Sequence, residues 1–257
     1  MSQAGTDLTS TLTTQGDILY RDGSGLQRLG AGTSGQVLQT GGTGANPSWN
    51  DASGGGLEFI SKHNLSANTG EWIFDQVFAN NTSFNVFEIY YYNLNHTDSS
   101  DNDLTMDLRK GASGSEVSVR SSTALFYHRI KQHGGSGGSA VHMQTDAAPH
   151  GGIRLAHSGT FGGADSRGTY GTITVFNPHR KDGNGNTIDS RCFVRATHQG
   201  LVSSNSSGSY MFSGETIANY DDNSLVATGF SLKSSDYNLR ASSSCQSKVL
   251  IFGVKES

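Results

Sequence analysis

Residues Thr13–Trp49, TTQGDILYRDGSGLQRLGAGTSGQVLQTGGTGANPSW, constrain the fold more than any other stretch. They are Gly-rich and internally doubled. Asp17–Tyr20 and Leu26–Leu29 flank the turn residues Arg21-Asp22-Gly23-Ser24-Gly25. Gln36–Gln39 is followed by Thr40-Gly41-Gly42-Thr43-Gly44 and closed by Pro47-Ser48-Trp49. Asp-Gly and Gly-Gly between short alternating runs predict hairpins, because Gly accepts a positive φ without steric cost. The apolar groups are few: Ile18, Leu19, Tyr20, Leu26, Leu29, Val37, Leu38 and Trp49. Ordering a backbone costs about 1–2 kcal/mol per residue, and one copy of this segment cannot bury enough surface to offset that. Either the segment is disordered or other chains complete it. Ile18, Leu19, Tyr20, Leu29, Val37, Leu38 and Trp49 are therefore the candidate oligomer-interface residues.

The flanks are simpler. Met1–Leu12 is mostly polar and reads as an arm, ordered only where it docks on a neighbour. Asn50–Gly56, NDASGGG, reads as a linker, since three consecutive glycines leave the backbone free to pivot. The expected organisation is an arm over 1–12, a Gly-rich stem or adaptor with its linker over 13–56, and one larger domain over 57–257.

Beyond residue 56 the pattern changes to short apolar runs separated by turns. Strands are expected at Leu57–Lys62, Glu71–Phe78, Phe84–Asn93, Asp103–Arg109, Val117–Val119, Ala124–Ile130, Val141–Gln144, Gly151–Ala156, Thr169–Phe176, Cys192–Thr197, Tyr210–Phe212, Leu225–Lys233 and Lys248–Val254. Asp103–Arg109 alternates, with Leu104, Met106 and Leu108 on one side and Thr105 and Asp107 on the other, as in a half-buried strand. Phe84–Asn93 is apolar on both sides: Phe84, Val86, Tyr90 and Tyr92 against Phe87, Ile89 and Tyr91. A strand of that kind is covered on both faces, and in a two-layer sandwich the outer cover must come from an edge loop or another subunit. Turns at short, regular spacing and the absence of a helical period predict an all-β protein: an antiparallel β-sandwich, with jelly-roll topology the choice among sandwiches.

Composition fits that class. Hydrophobic residues make up 33% and charged residues 16% of 257, with 34 Gly and three Pro, which suits many turns and broad hydroxyl- and amide-bearing surfaces. The formal net charge is −4, so there is no basic footprint for nucleic acid. The N-terminal residues lack the basic start and apolar core of a signal peptide. No run approaches the ~20 apolar residues of a membrane span. Synthesis in a cytoplasm is the expectation, without membrane insertion. Cys192 and Cys245 are expected as small buried hydrophobes, with a disulfide as the alternative.

Few residues suggest chemistry. The nine histidines (His63, His96, His128, His133, His142, His150, His157, His179, His198) include neither His-x-His nor His-Glu-x-x-His, so no local zinc spacing exists. Asp182–Asp189, DGNGNTID, places oxygen ligands at alternate positions but has Thr187 and Phe193 where a calcium loop needs Gly and Glu. A hairpin turn accounts for the same residues. Asp98, Asp101 and Asp103 read as a solvated acidic loop. Glu58, Glu71, Glu88, Glu116 and Glu215 are scattered, without the paired carboxylates of a glycosidase signalled by sequence. Gly111-Ala112-Ser113-Gly114 and Ser207-Gly208-Ser209 are Ser/Gly loops rather than nucleophile turns. No enzyme activity, metal or cofactor is expected. Tyr127, Tyr170, Tyr210, Tyr220 and Tyr237, in or beside loops, are candidates for stacking on sugar rings; packing at the sandwich edge or at an interface is the competing role.

Four pieces of the N-terminal stretch carry a family resemblance: Thr14-Gln15-Gly16-Asp17-Ile18-Leu19-Tyr20, Arg28-Leu29-Gly30, Gly35-Gln36-Val37-Leu38 and Asn46-Pro47-Ser48-Trp49. In this order they resemble a module of tailed-bacteriophage virion proteins, found in tail fibres, tail spikes and related appendages. The C-terminal Gly229-Phe230-Ser231-Leu232-Lys233 and Leu250-Ile251-Phe252-Gly253-Val254-Lys255 are similar to the closing strands of phage fibre and head-decoration domains. The resemblance implies a virion protein, a homotrimer, whose partners are copies of itself, other tail or capsid proteins and host surface polysaccharide. A tail fibre or receptor-binding appendage is one expectation. A capsid decoration or cement protein is the alternative, favoured by a length short for a full fibre. A carbohydrate-active enzyme is a distant third.

Overall fold

The computed structural model describes residues 8–52, 56–97, 103–113, 117–119, 125–133, 141–144, 152–156, 168–180, 192–204, 208–219, 226–241 and 246–255. The chain divides into two compact units, residues 1–55 and 56–257.

The described part of the first unit holds a helical turn, α1 (Leu8–Thr11), followed by two hairpins. β1 (Ile18–Arg21) pairs antiparallel with β2 (Leu26–Leu29), and β3 (Gln36–Gln39) with β4 (Ser48–Asp51). The residues of the four quoted pieces do much of the holding. Gly16, at φ 90°, turns the chain so that the Asp17 carboxylate accepts the backbone N–H groups of Thr13 (2.9 Å) and Thr14 (2.8 Å). Arg28 on β2 pairs with the same carboxylate at 3.5 Å and donates to the Thr13 hydroxyl. At the β1–β2 turn, Asp22 accepts the Ser24 hydroxyl and the N–H groups of Ser24 and Gly25, and these bonds, that of the Ser24 hydroxyl first, hold its carboxyl below the usual range. The Trp49 indole crosses between the hairpins: Nε1–H donates to Gly30 O at 2.7 Å, and a Cβ at Gly32 would lie 2.7 Å from the ring.

Among the described residues, the second unit forms two sheets. Their strands are β5 (Leu57–Asn64), β6 (Glu71–Phe74), β7 (Val86–Leu94), β8 (Leu104–Lys110), β9 (Val117–Val119), β10 (Leu125–His133), β11 (Val141–Gln144), β12 (Ile153–Ala156), β13 (Thr169–Phe176), β14 (Phe193–Ser204), β15 (Gly208–Asn219), β16 (Gly229–Ser234) and β17 (Lys248–Val254). The larger sheet has eight strands in the order β11-β10-β15-β14-β13-β7-β17-β5. The smaller has the order β12-β8-β16-β6, with β9 beside β8. Every pairing in both is antiparallel. Successive strands alternate between sheets from β5 to β8 and again from β16 to β17, as sandwich connections do. The all-β, antiparallel sandwich expected from the strand pattern is what the chain forms.

One hydrophobic core joins the sheets. Phe87, Ile89, Tyr91, Ile173, Val175, Val249 and Ile251 point inward from the larger sheet, and Phe74, Met106, Leu108, Ile153, Phe230 and Leu232 from the smaller. Phe74 stacks on Phe230 with centroids 4.6 Å apart, and Phe78 meets Phe87 at 4.7 Å. Each such side chain contributes about 1.5–3 kcal/mol by leaving water. Three glycines admit their neighbours: a Cβ at Gly171 would sit 2.2 Å from the Tyr91 hydroxyl, one at Gly229 2.2 Å from Phe74 O, and one at Gly253 2.3 Å from the Phe84 ring.

Several expected boundaries shift. The strand predicted over Glu71–Phe78 ends at Phe74, because Asp75 turns away to bind Arg109 and Gln76 takes φ 57°. Phe78 is still fully buried, delivered by that turn. Phe84 does not belong to the outer side of the following strand: it precedes β7 and drops inward over Gly253. The predicted strands at Cys192–Thr197 and Tyr210–Phe212 are pieces of a long hairpin, β14 with β15. Asp103–Arg109 is not half-buried; all of Leu104–Arg109 is buried.

Candidate functional site

Register sorts the larger sheet's outer face into rows. Leu57, Val254, Val86, Phe176 and Phe193 are successive cross-strand partners over five strands. The next row runs Phe59, Phe252, Glu88, Thr174, Arg195, Ile217. Then come Lys62, Leu250, Tyr90, Thr172, Thr197 and Glu215. Tyr170 pairs with Gln199 and Gln199 with Ser213 in the last row, where the Tyr170 ring meets Tyr92 edge-on at 6.4 Å. Cross-strand neighbours are the unit of contact in a sheet, so the face grades from an apolar end to a tyrosine, hydroxyl and amide end.

The apolar end is where the unit begins: Lys255 N–H donates to Gly56 O at 2.9 Å beside Leu57 and Val254. Its large side chains stand in water, from 38% exposure at Phe176 to 57% at Phe59. Phe59 and Phe252 touch edge to face at 5.6 Å, as do Tyr90 and Phe252. Two of the cations on or beside this face are paired within the chain, whereas Lys62, one row further in, stands exposed. Arg195 pairs with Glu215 at 2.8 Å, Lys255 with Glu58 at 2.8 Å, and Thr174 Oγ1 donates to Glu88 at 3.0 Å.

The smaller sheet's outer face is the opposite. Asp107 is fully buried and paired with Lys233; Arg109 is buried and paired with Asp75 and Glu71; the Ser231 hydroxyl donates to Glu71. Arg154 pairs with Asp103 at 2.9 Å. Asp103 is thus part of this network rather than of a solvated loop, while Asp98 and Asp101 lie outside the described residues. Sequence reasoning missed these partners, because Asp107–Lys233 and Arg109–Asp75 are joined only by strand pairing.

Among the host-contact candidates, Tyr170 sits on β13, 43% exposed. Tyr237 lies in the segment between β16 and β17, its ring stacked on His96 at 5.9 Å. Both belong to the end of the sandwich opposite Gly56, where β7 ends and β13 and β17 begin. Tyr127 and Tyr210 fall on β10 and β15, paired with Ile217 and Val202. Tyr220 lies outside the described residues, as do the Asp182–Asp189 loop, Glu116 and Cys245. Cys192 is buried and free, its thiol pushed up to about 12 by loss of hydration. No group of three His, Cys, Asp or Glu among the described residues could hold a metal ion.

In the first unit, Ile18 faces Leu29 and Leu38 faces Trp49 across the two hairpins. Ile18, Leu19, Tyr20, Leu29 and Trp49 are half-buried, and Val37 and Leu38 are nearly half exposed. None of residues 10–52 is buried as a whole. The chain matches no protein-family model, no curated protein and no solved structure.

Proposed function

We propose that this chain is a non-enzymatic structural subunit of a tailed-phage particle, a tail fibre or receptor-binding appendage assembled as a homotrimer. The observation that carries the reading is the first unit's missing core. Its hairpins are ordered by Asp17, Arg28 and Trp49, yet no residue from 10 to 52 is buried and Leu26, Val37 and Leu38 stay exposed. Copies of the chain supply the rest of that core; the number three comes from the phage-appendage resemblance. The order β5-β17-β7-β13 opposite β6-β16-β8-β12 supports a jelly roll, with β10, β11, β14 and β15 as insertions that widen the larger sheet and β9 as an addition beside β8 in the smaller. The exposed rings of Tyr170 and Tyr237 lie away from the entry of the chain at Gly56, which suits contact with neutral host polysaccharide.

Light scattering on the full chain tests the assembly: a trimer is expected, and Val37→Asp with Leu38→Asp should reduce it to monomer at micromolar concentration. A wild-type monomer under the same conditions refutes the reading. Antibody labelling of particles separates the two locations, gold on the tail supporting the appendage and gold on the head supporting the decoration alternative.

A further inference from the structure

We infer that the apolar end of the larger sheet's outer face is a second interface between copies of this chain, closed when the stem brings them together. The inference rests on the proposed self-assembly through residues 13–49 and adds a surface to it. Leu57, Phe59, Phe176, Phe193 and Ile217 each expose between 38% and 57% of their area. Side chains of this kind carry about 150–250 Å², so their exposed parts come to on the order of 400 Å². That lies within the ~300–600 Å² of the largest apolar patch on a monomer, which is often a binding site. It also supplies a large share of the ~800 Å² per partner of a standard interface.

The chemistry of the patch selects a like partner. A phosphate-bearing or strongly charged surface selects a field of one sign, but the charges here are of both signs: Arg195 pairs with Glu215 and Lys255 with Glu58, Glu88 accepts the Thr174 hydroxyl, and Lys62 stands one row away. An apolar strip bordered by charges of both signs is compatible with its own copy, where a rim of one sign would repel. Position adds the third argument. The strip lies at the end where residue 56 enters the unit, so assembly of the preceding segment holds the strips of neighbouring copies at high effective concentration.

Two measurements on the full chain test this. Hydroxyl-radical footprinting of the unmodified protein should label Phe59, Phe176 and Phe193 at least fivefold less than Tyr237, because the former are covered and the latter is not. Sedimentation equilibrium should show Phe176→Asp with Phe193→Asp dissociating at concentrations at least tenfold above the wild type, with a native melting transition retained. Tyr170→Asp, at the other end of the same face, should leave association unchanged. Labelling of the three phenylalanines as heavy as that of Tyr237 overturns the inference. So does unchanged association of the double variant, or equal weakening by Tyr170→Asp. If Val37→Asp with Leu38→Asp leaves the oligomer intact while the phenylalanine variant dissociates it, the stem reading fails and the sheet interface stands.

Discussion

The two sheets of the larger unit face the core alike and face outward in opposite ways. The smaller sheet hides charge on its outer side: Asp107, Arg109 and Ser231 are buried there, tied to Lys233, Asp75 and Glu71. The larger sheet leaves Phe59, Phe176 and Phe193 in water. On these two outer faces burial therefore does not follow polarity. A buried charge persists where a partner of opposite sign is fixed by the register, since leaving one unpaired costs far more than leaving an aromatic ring wet.

The contrast can be broken hardest at the smaller sheet. Lys233→Met removes the Lys233 cation from beside the buried Asp107 carboxylate, and urea denaturation should show a loss of about 3–5 kcal/mol; a loss below about 1 kcal/mol would mean that this pair contributes little to the face. Next in size is Gly253→Ala, whose methyl would press the Phe84 ring from 2.3 Å and should cost about 1–3 kcal/mol by overpacking. A neutral result there would place Phe84 elsewhere. The smallest effect concerns His63, on the inner side of the strand that carries Phe59. Its ring lies against Phe74 at 5.0 Å, and burial lowers its proton affinity. The unfolded chain then binds the proton more readily, so stability is intact above the ordinary pKa near 6.5 and falls as pH drops below it. His63→Gln should flatten that acid-side slope by a melting shift on the order of 1–2 °C; an unchanged slope assigns it to carboxylates instead.

Strand existence was legible because its signal is local: the alternation in Asp103–Arg109 and the β-branched run in Thr169–Phe176 need no partner to be read. The extent of the β14–β15 hairpin was not, because in Gln199–Ser204 only Leu201 and Val202 are apolar, too short a run to be read without its partner Gly208–Ser213. The inward turn of Phe84 depended on a glycine some 170 residues away, and the buried salt bridges on pairings between β8 and β16. The two-sided apolar character of Phe87–Tyr92 was visible in sequence, and the outer half of it is now a half-covered surface: Tyr90 and Tyr92 are half-buried. Among the tyrosines, residue type marked Tyr170 and Tyr237 as candidates but gave no hint that one lies on a sheet face and the other on a histidine.

The antiparallel pairing of β5 with β17 has a mechanical corollary. Tension entering at Gly56 and resisted at the opposite end of the sandwich runs along β5, so the bonds from Leu57–Val254 to Asn64–Lys248 share the load at once. Pulling Gly56 and Lys255 apart would instead peel the same ladder open rung by rung. The unit is built to be tugged lengthwise and gives way to prying.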